Sequence, residues 1–106
     1  MKEGKLLLLL QKKKGFFEAI LELTEIEAEL TVTEWLSVLQ QKKLLLSCIE
    51  EVDMELSPYC ASLATLSQDL ADELEATRSV IHKILHLDAH NQEQRKQELH
   101  GHARKK

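Results

Sequence analysis

A chain of 106 residues, 43% hydrophobic and 30% charged with a net charge of -4, is long enough for one helical domain with a modest core. Three glycines, one proline and abundant Leu, Glu, Lys, Gln and Ala favour helix nearly throughout, and the lack of β-branched runs and of Asn-Gly or Asp-Gly turns argues against a sheet. The acidic balance gives no general basis for nucleic acid binding, which needs a basic face.

The chain opens with Met1-Lys2-Glu3-Gly4-Lys5 and five leucines, closed by Gln11-Lys12-Lys13-Lys14. This apolar run is too short for a secretory leader and has no small-residue cleavage site. No segment is long enough to span a bilayer, so the expected location is cytoplasmic, without membrane insertion. Cys48 and Cys60 are too few for a disulfide framework and fall at unequal distances from the Ser57-Pro58 break, so both read as reduced thiols.

Helix 1 is predicted from about Lys5 to Leu30. Leu6, Leu9, Phe16, Ile20, Leu23 and Leu30 follow a three-four spacing, widened by Leu10, Phe17 and Leu21, while Lys13 and Glu27 interrupt the seam. Gly15 marks either a kink or the start of the ordered helix. Thr31 and Glu34 then have the spacing of a capping box, with Leu30 and Trp35 placed to form a hydrophobic staple. Helix 2 is predicted from Val32 to Leu56, on a stripe of Trp35, Val38, Leu45, Ile49, Val52 and Leu56, with Leu39 and Leu46 beside it and only Lys42 breaking it.

Ser57-Pro58 is read as the end of helix 2 and the capped start of helix 3. The stripe of helix 3, about residues 58–92, is Leu63, Leu66, Leu70, Leu74, Thr77, Ile81 and Ile84. Beyond Leu87 the apolar residues nearly vanish, and residues 93–106 read as a polar tail that frays. Lys12, Lys13 and Lys14 lie level with Glu50, Glu51 and Asp53 if the first hairpin closes at Thr31. Lys42 and Lys43 lie level with Asp72 and Glu73 if the second closes at Ser57. The expected fold is therefore all-α, an antiparallel up-down-up three-helix bundle in one domain. Its long third helix partly overhangs, from about His82 onward. The unpaired stripe of that overhang, Ile84, Leu85 and Leu87, together with Leu74 and Ile81 leading into it, is nominated as a partner-binding groove.

Little in the sequence points to catalysis. His82, His86 and His90 share a helix face and are the one constellation with metal-ligand spacing, but no Glu occupies a general-base position beside them. A solvated face is the ordinary reading of such histidines. There is no phosphate loop, nucleophile elbow or oriented Cys-His pair. Neither an enzyme nor a cofactor is expected.

Residues 17–30, Phe-Glu-Ala-Ile-Leu-Glu-Leu-Thr-Glu-Ile-Glu-Ala-Glu-Leu, together with Trp35, Leu39, Gln40-Gln41-Lys42-Lys43-Leu44-Leu45, Ile49, Val52-Asp53 and Glu55-Leu56, resemble the FlgN/FliT-like export chaperones of flagellar and type III secretion systems. A weaker likeness continues at Ile84-Leu85-His86-Leu87-Asp88-Ala89-His90-Asn91. The resemblance implies a small cytoplasmic helical chaperone. Such a protein holds an amphipathic segment of a secretion substrate, such as a hook-associated or cap protein, and delivers it to export gate or ATPase components. Family members often carry a C-terminal tyrosine for gate contact, whereas the only tyrosine here is Tyr59. The rival reading is a structural coiled-coil subunit, which buries its stripes by self-association, for instance as a homodimer.

Overall fold

A computed structural model of the chain describes residues 2–59 and 67–104, with side chains described for 4–59 and 67–97. The elements are α1 (Lys2–Ile26), a short 3-10 turn (Glu27–Glu29), α2 (Val32–Leu56) and α3 (Gln68–Arg104). The fold is all-α, a three-helix bundle. The molecule is a rod of 64 × 21 × 18 Å, because α3 alone has 37 residues, roughly 55 Å of helix. The backbone of α1 packs closely against both other helices, whereas α2 and α3 approach each other chiefly through side chains. Among the described residues no helix is long and apolar enough to cross a membrane.

α1 runs through Gly15 without a break, and a methyl group added there would meet nothing within 4 Å. The glycine is neither a kink nor a helix start. α1 ends where the backbone tightens into the 3-10 turn, and Leu30 then turns extended (φ -90°, ψ 149°). The capping box forms as its spacing predicts. The Glu34 amide donates to Thr31 Oγ1 at 3.3 Å, and the Thr31 amide donates to Glu34 Oε1 at 3.1 Å. The Thr31 hydroxyl also donates to that carboxylate at 2.9 Å. These hydrogen bonds favour the charged form and hold the Glu34 carboxyl below its ordinary range.

The second connection departs from expectation. Ser57 does not cap α3; it is the C-terminal cap of α2, in helical geometry (φ -49°, ψ -45°). Residues 57–59 form a single 3-10 turn, and α3 starts only at Gln68. Ser67 is its N-cap: Ser67 Oγ accepts from the Leu70 amide at 3.4 Å and Ser67 O accepts from the Ala71 amide at 3.0 Å. Asp69 adds favourable negative charge in the first turn. Leu63, Leu66 and Cys60 lie outside the described residues, while Cys48 is a free, half-buried thiol. At the other end α3 does not give way to a fraying tail after Gln92 but stays helical through Arg104.

The later start shifts the whole register of α3. Leu70 packs with Leu6, Leu9, Leu10, Val52 and Leu56 in one core cluster, and Ile84 packs with Ile20 and Ile49 in a second. Phe16 touches both clusters, and Phe17 borders the second. α3 therefore runs alongside α1, up-down-up as expected. Its overhang begins past Arg95, however, which still reaches the Leu30 carbonyl. Burial is heptad-spaced, at Leu70, Thr77, Ile84 and Asn91. The buried Thr77 and Thr24 hydroxyls are satisfied by the carbonyls of Glu73 (2.9 Å) and Ile20 (2.7 Å) one turn back.

Charge pairing follows the same registers. Lys13 meets Asp53 at 2.7 Å, as the first hairpin predicts. Lys42 does not meet Asp72 or Glu73; Glu73 instead pairs with Lys14 at 2.5 Å.

Two stability predictions follow from these helix features. Gly15→Ala should raise stability by about 1 kcal/mol in urea unfolding, since it adds helix propensity in open space. Thr31→Ala should lower it by about 1 kcal/mol through loss of the cap. Because the folded pKa of Glu34 is depressed, its stabilising contribution is present above the unfolded value of 4.5 and is lost as pH falls through the folded one. Thr31→Ala should therefore flatten the acid limb of a stability–pH curve only in part, since the backbone amide at position 31, the larger cause of the shift, still donates to Glu34.

Candidate functional site

Two of the three residues that interrupt the apolar stripes converge at the end of the rod where α1 turns into α2. Glu27 and Lys42 read as defects in two separate seams; in the structure they face each other, 3% and 9% exposed. Lys42 Nζ lies 2.6 Å from Glu27 Oε1 and 3.1 Å from Asp88 Oδ1, so one ammonium joins the 3-10 turn after α1, α2 and α3. Asn91 Nδ2 donates to the Thr24 carbonyl at 3.0 Å and to Glu27 Oε2 at 3.3 Å. The Arg95 guanidinium donates to the carbonyls of Glu27 (3.0 Å) and Leu30 (2.9 Å), sharing the Glu27 acceptor with the Leu30 amide. Its carbon sits 5.6 Å from the centre of the Trp35 ring, within cation–π range.

This network continues the α3 stripe in polar form. Asp88, Asn91 and Arg95 occupy the positions that follow Ile84 on the same helix face, and their partners are a carbonyl-rich turn and a buried ion pair. The sequence signal was present: charges of opposite sign interrupt two facing stripes, and Asp88, Asn91 and Arg95 prolong the three-four spacing of a third. Counting apolar residues alone passes over it.

A groove accompanies each helix seam. Between α2 and α3 a groove of about 440 Å³ is lined by Trp35, Leu39, Lys43, Leu46, Gln92 and Lys96 above the polar network. Between α1 and α2 a groove of about 610 Å³ is lined by Ala19, Leu23, Ile26, Gln41, Leu44 and Leu45, among others. Between α1 and α3 a groove of about 370 Å³ is lined by Leu10, Lys13, Leu74, Thr77, Arg78, Ile81, His82 and Leu85.

Three of the five residues nominated from sequence therefore share one groove. Leu74 and Ile81 are half-buried along its wall, and Leu85 is 59% exposed at its rim. Ile84 is corrected: at 7% exposure it belongs to the core, against Ile20 and Ile49. Leu87 is half-buried and does not line this groove. The premise that these residues overhang the hairpin fails, because α3 begins later than Pro58 and the hairpin covers it as far as Arg95.

His82, His86 and His90 are all exposed on α3. The described residues contain no group of three His, Cys, Asp or Glu side chains placed to hold a metal ion.

Comparison of the chain with family models, with characterised proteins and with solved structures finds no match.

Breaking a buried ion pair from one side is far costlier than replacing both partners. Lys42→Met should destabilise the fold by about 3–5 kcal/mol, since it strands the Glu27 carboxylate. Glu27→Gln combined with Lys42→Met should cost clearly less than the sum of the two single changes. Chemical denaturation of the four proteins of this cycle gives the coupling directly.

Proposed function

We propose that this protein is a helical chaperone or adaptor for a flagellar or type III secretion substrate, holding an amphipathic segment of that client in an export-competent state. The observation that carries the reading is the α1–α3 groove. Leu10, Leu74, Ile81 and Leu85 give it an apolar lining that the fold leaves uncovered along the rod. Lys13, Arg78 and His82 edge the same groove, and Arg78 makes no ion pair among the described residues. An apolar floor with a basic edge complements an amphipathic helix that carries carboxylates beside its apolar stripe. The likeness of residues 17–56 to export chaperones supplies the client class, a hook-associated or cap protein. The rigid rod supplies a preformed surface.

A structural coiled-coil subunit is the second reading. The observation favouring it is a different one, an exposed stripe on α2.

The client reading is tested with purified hook-associated and cap proteins, titrated in a binding assay. Leu85→Asp should weaken capture by about tenfold or more, because a carboxylate at the rim removes an apolar contact and repels the client's own carboxylates. Leu44→Asp, in the α1–α2 groove, should leave capture unchanged. Equal binding by wild type and Leu85→Asp would reject the α1–α3 groove as the client site.

A further inference from the structure

α2 carries two stripes, and the bundle uses only one of them. Val38, Lys42, Ile49, Val52 and Leu56 are buried against α1 and α3. About a third of a turn around the same helix runs a second three-four repeat through Val32, Leu36, Leu39, Leu46 and Met54. These side chains are 64%, 53%, 37%, 49% and 75% exposed. Single exposed apolar residues are ordinary on a protein surface, but five on one face of a helix of 25 residues are not. Two charged residues interrupt it, Lys43 and Glu50. Both are exposed and neither forms an ion pair within the described chain.

We infer that this face pairs antiparallel with the same face of a second copy of the chain. The two interrupting charges single out that occupant. They are opposite in sign and lie on either side of Leu46, three residues before it and four after it. A two-fold axis passing beside Leu46 sets Lys43 of each copy level with Glu50 of the other, so both charges are neutralised twice by symmetry. The same axis brings Leu39 of each copy level with Met54 of the other. A parallel pairing would set Lys43 against Lys43 and Glu50 against Glu50, and like charges at a seam disfavour it. The paired length covers most of α2, roughly 30 Å. This pairing is independent of the client groove, which lies on the α1–α3 seam.

Sedimentation velocity and light scattering of the full chain over a wide concentration range provide the test. Wild type should form a dimer. Lys43→Glu alone and Glu50→Lys alone should each raise the dissociation constant by about tenfold or more. The double exchange Lys43→Glu/Glu50→Lys should restore the dimer, and so should mixing the two single variants, which complement each other across the axis. Leu46→Asp should leave a monomer. Unchanged helical circular dichroism confirms that these exposed positions leave the fold intact. A wild type that stays monomeric at every concentration, or single-charge variants that dimerise as well as wild type, would overturn the proposal. So would charge variants that neither the double exchange nor mixing rescues.

Discussion

The ammonium of Lys42, held between the carboxylates of Glu27 and Asp88, is the contact on which the alignment of the helices depends. Apolar stripes attract without direction, and a helix displaced by two turns still presents leucine to leucine. A buried charge has no such tolerance. If α3 slid by one heptad, Asp88 would leave Lys42 and Asn91 would leave the Thr24 carbonyl, with desolvated groups stranded on both sides. The polar end of the rod thus acts as a register pin for seams that are otherwise permissive, the best-attested use of a buried polar group in helical assemblies.

Along its length the rod divides its work. Leu6 to Ile20 of α1, with their partners on α2 and α3, form two apolar clusters that supply the burial. From Thr24 to Leu30 the interior becomes hydrogen-bonded, and Arg95 occupies the place where another leucine would take a donor away from the Leu30 carbonyl. A rod this thin has little interior. Much of its apolar surface stays on the outside, collected along the seams and on the outer face of α2. These are the surfaces on which the proposed client binding and the proposed pairing of two copies rest.

Much of the fold was legible in the sequence because local rules decided it. The capping box at Thr31 and Glu34, the span of α2 and the Lys13–Asp53 register follow from short-range spacing and from the length of one tight turn. The register of α3 was not legible. Ser57-Pro58 has the chemistry of a helix start, and Ser67-Gln68-Asp69 has it too; choosing between them depends on which start lets Leu70 and Ile84 reach the core. The candidate site inherited that error. Ile84 was assigned to an overhang it does not occupy, while Leu74, Ile81 and Leu85 fell into one groove because their mutual spacing on a helix face survives any shift along the axis.

The sequence by itself determined an all-α chain, the first hairpin and the periodic faces of each helix, because helix propensity, capping and three-four spacing act within a few residues. Only the tertiary structure decided that Glu27, Lys42, Asp88, Asn91 and Arg95 form one network. A polar residue inside an apolar stripe is a defect until its partner, far away in the chain, is brought opposite. Lys42 meets Asp88 across 46 positions and Arg95 meets Leu30 across 65, and no local rule spans such distances.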